Sequence, residues 1–269
     1  MGINFEKNYK LFRKYLVSYI KRDGIKEFIE WMDHTDAWVA PASTKYHLCE
    51  KGGLIQHSLN VFNRMIRLIT EEWGDIENCP YSKETIAFVS LLHDVSKINF
   101  YDTYLKNVKD DHGQWIQVPT YTVREEDNRL VFGTHEENSV YILTQFFKLD
   151  YQEAVAIRWH GGCGTSNDPT SQGKMMEAYK ASKLALLLHI ADMQATCIDE
   201  VDMTFETVSN NSKKEEKKEV EKNEVAEDKK QEVNEVDNQY TNSKYIEDED
   251  DVDEQDFERA IDEANDCPF

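Results

Sequence analysis

This chain lacks a C-x-x-C pair, an apolar run long enough to cross a bilayer, and a surplus of basic residues. Its five cysteines, Cys49, Cys79, Cys163, Cys197 and Cys267, are odd in number and widely spaced. That spacing argues against a disulfide frame or a zinc ribbon and reads as reduced thiols in a cytosol. The longest greasy run, Leu184 to Ile190, is too short to span a membrane, and Met1 to Lys10 is charged and carries no apolar signal core. A soluble cytoplasmic protein without membrane contact is therefore expected. Lys and Arg number 31 against 52 Asp and Glu, a net charge of −21. A broad basic surface for duplex nucleic acid is thus disfavoured, although a local pocket for one or two phosphates does not register in net charge.

The 40% hydrophobic content is low for a fully packed chain of 269 residues. The deficit is concentrated at the end. Residues 209–269 carry 9 basic and 22 acidic side chains, net −13, which leaves −8 for residues 1–208. Lys-Glu-Val-Asn permutations without large apolar residues predict a disordered acidic linker over 209–254, followed by a short C-terminal interaction tip over 255–269.

Residues 1–208 read as one all-α helical bundle. Phe12, Tyr15, Leu16, Tyr19 and Ile20 form one apolar stripe at helical spacing, and Val61, Met65, Leu68 and Ile69 form another. Gly24 separates the first helix from a second running from Ile25 to about His34, and a long helix starts near Leu54 after the paired glycines Gly52 and Gly53. Ser82 is placed to cap a helix running to His93, and Thr134 with Glu137, then Asp150 with Glu153, have capping-box spacing. A last helix is predicted from about Lys174 to Ile198. Between these helices, Gln114–Val118 and Thr120–Val123 are rich in strand formers and precede a short apolar piece, Arg129 to Phe132. They predict a small β-hairpin insertion that flanks the site or serves as a structural flap.

The chemistry-bearing residues are His57, His93, Asp94, His135, His160 and Asp192. Imidazoles and carboxylates hold a catalytic divalent metal while leaving coordination positions open. Each residue alone reads as readily as a satisfied core or surface side chain, but Leu91-Leu92-His93-Asp94-Val95 puts a polar pair in apolar surroundings. A metal gives that pair a reason to be there. His93 and Asp94 are consecutive, about 100° apart on a helix, so both reach one ion only near a helix end.

In order and context these residues resemble the HD superfamily of metal-dependent phosphohydrolases. The matching pieces are Gly-Gly-Leu-Ile-Gln-His57-Ser, Leu-Leu-His93-Asp94-Val-Ser-Lys97, Gly-Thr-His135-Glu-Glu-Asn-Ser, Arg-Trp-His160-Gly-Gly and Leu-His-Ile-Ala-Asp192, over approximately residues 25–200. The segment Ala40–His47 followed by Gly52-Gly53-Leu54 looks most like the HD domain of bacterial 3′-to-5′ exoribonucleases, relaxase-associated HD domains and small phage HD hydrolases. Unlike the exoribonucleases, the chain has no room for an N-terminal OB-type nucleic-acid domain.

The resemblance implies an HD fold in which His57, His93, Asp94 and Asp192 hold a first metal, and His135 and His160 a second one bridged by Asp94; a one-metal site is the alternative. Mn, Fe, Ni or Mg suits the mixed donor set. Asp94 and Lys97 are the catalytic candidates, Lys97 facing either a nonbridging phosphoryl oxygen or solvent at a helix end. His47 and Arg158 are candidates for phosphate contact, Arg158 alternatively pairing with acids near Asp150 and His47 alternatively shaping its loop. His189 reads as an imidazole bonded to a neighbouring carbonyl, Cys163 as incidental, and His34 and His112 as loop or surface residues.

The expected reaction is hydrolysis of a phosphoester in a nucleotide or single-stranded nucleic acid, with 3′-to-5′ exonucleolytic cleavage as the leading version. A nucleotide phosphohydrolase or cyclic-dinucleotide phosphodiesterase is the first alternative, and a non-catalytic nucleotide-binding adaptor recruited through its tail is the second. Trp38, Tyr46, Tyr101 and Trp159 are available for base stacking or for the core. The terminal Asp266-Cys267-Pro268-Phe269 resembles the tip of bacterial single-stranded DNA-binding proteins, which docks on host replication and repair proteins; here Cys267 stands where an aliphatic residue is usual.

Overall fold

The computed structural model describes residues 3–110, 112–164 and 168–201. The expected acidic linker and C-terminal Pro-Phe tip lie outside the described residues. Eight helices and one two-stranded sheet follow in chain order among the described residues: α1 (Phe5–Tyr19), α2 (Ile25–Asp33), α3 (Gly53–Trp73), α4 (Lys83–Leu92), β1 (Tyr101–Lys109), β2 (Trp115–Val123), α5 (His135–Thr144), α6 (Tyr151–Trp159), α7 (Pro169–Ala181) and α8 (Lys183–Gln194). None of these helices is long and apolar enough to cross a membrane.

The apolar stripes turn inward as their spacing dictates. Phe12 and Leu16 of α1, Phe28 of α2, Phe62 and Met65 of α3 and Phe88 of α4 are essentially inaccessible to solvent and share one core. Burying each such side chain contributes roughly 1.5–3 kcal/mol relative to leaving it in water. The long helix α3 packs against α1, α4 and α8, and α6 packs against α5 and α8, so the middle of the bundle is bounded by the helices that carry the candidate ligands.

The local signals hold at the helix starts. Ser82 accepts the N–H of Thr85, and Thr134 with Glu137 and Asp150 with Glu153 form reciprocal capping boxes. Before α3, Gly52 adopts a left-handed φ of 80°, and a Cβ on Gly53 would lie 2.1 Å from the carbonyl oxygen of Leu48. Only a glycine lets loop 38–53 approach the helix start that closely. Gly53→Ala is expected to cost on the order of 1–3 kcal/mol, because backbone must move to admit the methyl group. A urea titration checks it, and an unchanged midpoint would show the loop to be adaptable.

Two expectations are corrected. The helix predicted from Lys174 to Ile198 is two helices. Asp168 caps α7 with Pro169 in its first turn, the chain breaks at Ser182, and the Ser182 hydroxyl then accepts the N–H of Ala185 to start α8. The hairpin is also paired differently: β2 runs antiparallel to Tyr101–Lys109, from Tyr101 opposite Val123 to Lys109 opposite Trp115, and Arg129–Phe132 is not a strand. Asp102, Lys106 and Asn107 dilute the strand character of β1. A ribbon of two strands leaves an open edge on each, which tolerates Pro119 within β2. Most of the ribbon is exposed, with only Tyr101 at its base buried. Arg124 ties the base down through Asp102 at 3.0 Å and Asp36 at 3.5 Å.

Candidate metal centre

Helix α4 ends at Leu92. His93 keeps helical dihedrals, Asp94 leaves them at φ −107° and ψ 18°, and a single 3₁₀ turn, Val95–Lys97, follows. This break lets consecutive residues face one point. His57, the fifth residue of α3, comes in from one side and Asp192 of α8 from the next. His135, at the first position of α5, and His160, just past the end of α6, come from the opposite side.

The two oxygens of Asp94 divide the cluster. Oδ2 lies 3.4 Å from His57 Nε2, 3.5 Å from His93 Nε2 and 2.6 Å from Lys97 Nζ. Oδ1 lies 3.4 Å from His160 Nε2 and 3.7 Å from His135 Nε2. Asp192 Oδ1 is 3.2 Å from His57 Nε2. The structure thus brings together all six residues singled out as ligands. His57, His93, Asp94 and His160 are buried, whereas His135 is 42% exposed and marks the open side.

Three imidazoles have their far nitrogen tied to an acceptor. His93 Nδ1 donates to the Ser90 carbonyl at 2.9 Å, His160 Nδ1 to the Ile157 carbonyl at 2.7 Å, and His57 Nδ1 to the Glu200 carboxylate at 2.9 Å. In their neutral forms each must present a lone pair on Nε2, and all three Nε2 atoms face Asp94. Two of them, on His57 and His93, are 3.2 Å apart. Asp94 Oδ1 is buried without a hydrogen-bond partner. Converging lone pairs and an orphaned carboxylate oxygen are costly unless protons or a cation sit among them. The donor set therefore fits a divalent metal.

Electrostatics follow from the crowding. Burial alone would raise the carboxyl pKa of Asp94, but Lys97 and His93 hold it well below the usual range. Burial likewise opposes ionisation of Asp192, which its contacts with His57 reverse. For His57 burial opposes the positive form, yet Asp192, Asp94 and Glu200 raise its pKa well above the ordinary value. His160 is raised by Asp94 against the same opposition. His93, desolvated and next to two other imidazoles, is pushed down to about 3.

The other candidate residues have partners of their own within the protein or lie at its surface. Lys97 turns toward the cluster rather than to solvent: its side chain is 15% exposed and its ammonium is ion-paired to Asp94. Arg158 lies apart from the cluster. Its guanidinium pairs with Glu137 at 2.9 Å and lies over the Trp159 ring, in a groove lined by Phe132, Tyr141 and Tyr151 and by none of the six ligand candidates. His47 Nδ1 is hydrogen-bonded to Glu200, which occupies it within the protein. His189 Nδ1 donates to the His160 carbonyl at 2.6 Å, as expected, and His34 and His112 are exposed. Of the four aromatics, Trp38 packs on Tyr9 and Phe12, Tyr101 is buried and Trp159 packs against the core, whereas Tyr46 is 81% exposed.

Glu200 was not foreseen. It follows the π-helical turn Ala195–Asp199 after α8, just beyond the helix expected to end at Ile198. One signal pointed to it: His57, Asn60 and Arg64 lie on one face of α3, and they meet Glu200, Glu200 and Asp199 respectively.

The family model for the HD domain matches residues 54–193, just over half of the chain and the stretch that contains all six clustered residues. No curated protein and no solved structure matches the chain. The order of the ligands along the sequence, their convergence in space and the family match agree: the chain belongs to the HD-domain family.

Proposed function

We propose that the protein is a metal-dependent phosphohydrolase acting on phosphoester bonds in nucleotides or single-stranded nucleic acid, with removal of 3′-terminal nucleotides as its leading activity. The observation that carries the reading is the convergence of three Nε2 lone pairs on the two-sided carboxylate of Asp94. HD domains are in general metal-dependent hydrolases, and a nucleotide-binding adaptor gains little from such a convergence.

His57, His93, Asp94 and Asp192 would hold one cation, and His135 and His160, with the other oxygen of Asp94, a second. Bound there, a divalent ion such as Mn²⁺, Fe²⁺, Ni²⁺ or Mg²⁺ supplies Lewis acidity toward a phosphoryl oxygen and lowers the pKa of water toward roughly 7. The chain's own part is positional. Lys97 keeps Asp94 ionised in a buried setting, and its remaining N–H groups would be free to meet a nonbridging phosphoryl oxygen. His57, His93 and His160 are buried and His135 is the exposed imidazole, so a substrate would approach past His135. Tyr46, exposed on the loop that carries His47, would offer a stacking surface for a base.

Assays with bis-p-nitrophenyl phosphate, single-stranded RNA and DNA, nucleotides and cyclic dinucleotides, with Mn²⁺, Mg²⁺ or Ni²⁺ added, test the proposal. Hydrolysis that requires metal and stops on chelation is expected; no turnover of any of them with any ion would favour the adaptor.

Protons and metal compete for the same atoms. The pKa values of His57 and His160 are raised, so their rings keep a proton to higher pH than ordinary histidines when no cation is bound. Mn²⁺ uptake at neutral pH is therefore expected to release protons, and affinity to weaken as pH falls. Calorimetry in buffers of different ionisation enthalpy reads the number released; zero protons would contradict the assigned donors.

A further inference from the structure

Glu200 makes four polar contacts with no solvent exposure of its side chain. It accepts from His57 Nδ1 at 2.9 and 3.1 Å and from Asn60 Nδ2 at 2.9 Å, and it is also bonded to His47 Nδ1. The amides behind it are aligned in one direction. Asn8 Nδ2 donates to Gln56 Oε1 at 2.6 Å, Gln56 Nε2 donates to Asn60 Oδ1 at 2.8 Å, and Asn60 then donates to Glu200. The chain of donors ends on a buried carboxylate that can only accept.

Among the three imidazoles with a tied far nitrogen, His93 and His160 lean on backbone carbonyls three residues behind them in the turn, whereas His57 leans on a carboxylate 143 residues away. A charged acceptor fixes the tautomer, holds the ring plane and makes Nε2 more electron-rich than a carbonyl does. The neighbouring residue is secured to the same helix, since Asp199 accepts from Arg64 Nε at 2.8 Å.

We propose that Glu200 is a positioning residue for the metal centre, orienting His57 as its most strongly donating imidazole and tying the His47 loop to it. The inference rests on the metal reading above and adds a residue outside the 54–193 stretch that matches the family model.

Calorimetric Mn²⁺ titration of the full chain, of Glu200→Gln and of Arg64→Leu tests it. Glutamine keeps the size and removes the charge; leucine breaks the adjacent Asp199 anchor and leaves Glu200 in place. Glu200→Gln is expected to weaken Mn²⁺ binding about 10–100-fold, the usual cost of losing a hydrogen-bonded partner of a metal-bound histidine. Arg64→Leu is expected to stay within about twofold of wild type, because a salt bridge near the surface contributes little. Equal losses in both variants would mean that Glu200 only pins the chain, and undiminished binding in Glu200→Gln would also overturn the proposal.

A second measurement needs no variant. In wild-type protein loaded with Zn²⁺ as a diamagnetic probe, nitrogen-15 spectra should show the His57 proton on Nδ1 and protected from exchange; a proton on Nε2 overturns the inference. If wild type takes up no Mn²⁺, the metal reading itself fails. If it does and Glu200→Gln matches it, only the role of Glu200 fails.

Discussion

Asparagine in place of Asp94 is expected to abolish metal retention and to lower hydrolysis by about 10³-fold or more. The substitution keeps the shape of the side chain and changes both of its functional oxygens. Oδ2 loses the charge that sits between His57, His93 and Lys97, and Oδ1 loses the charge that faces His135 and His160. An amide offers one carbonyl oxygen and one NH₂ group, so one side of the cluster would meet a donor where it needs an acceptor. Loss of bound metal forfeits several kcal/mol of transition-state stabilisation, and each 1.36 kcal/mol is about tenfold in rate. Metal content by atomic emission and initial rates on the most active phosphodiester read both parts. Activity within tenfold of wild type would place hydrolysis at another site.

The second large effect is on stability. Arg22→Met is expected to destabilise the protein by about 3–5 kcal/mol, the range for removing one member of a buried ion pair. Its guanidinium holds Glu153 through two bonds of 2.7 and 2.8 Å, and the Glu153 side chain is 1% exposed. The same guanidinium lies 4.2 Å from the Phe88 ring centroid, and its Nε donates to Glu84 at 3.2 Å. Without Arg22 the Glu153 charge is left in the core at the start of α6, the helix that ends at His160. Adding Glu153→Gln removes that stranded charge, so the double variant should recover part of the loss. Urea unfolding of the two single variants and the double variant checks this; additive losses would show that the pair is not coupled.

What could be read in the sequence, and what could not, separates along physical lines. The six candidate ligands were legible as a set because their order and flanking residues resemble the HD superfamily, with only His93-Asp94 conspicuous by its apolar surroundings, whereas both capping boxes and the paired glycines before α3 were fixed by local chemistry. The ion-pair partners of Lys97 and Arg158 were not legible, because a long cation has many reachable acceptors and its partner is chosen in three dimensions. Asp94 took one and Glu137 the other. Strand β1 was hidden by its charges, and the break at Ser182 by an uninterrupted run of helix-forming residues. Glu200 was obscured for a different reason: it lies past the last expected helix and outside the pieces that resemble the HD superfamily, and only the polar face of α3 opposite it held the information.

Anomalous diffraction from crystals grown with Mn²⁺ tests the central claim most directly. One or two peaks are expected within coordination distance of the Asp94 carboxylate, one bounded by His57, His93 and Asp192 and the other by His135 and His160. A map in which Mn²⁺ binds elsewhere, or in which those side chains contact no ion at saturating metal, would contradict it.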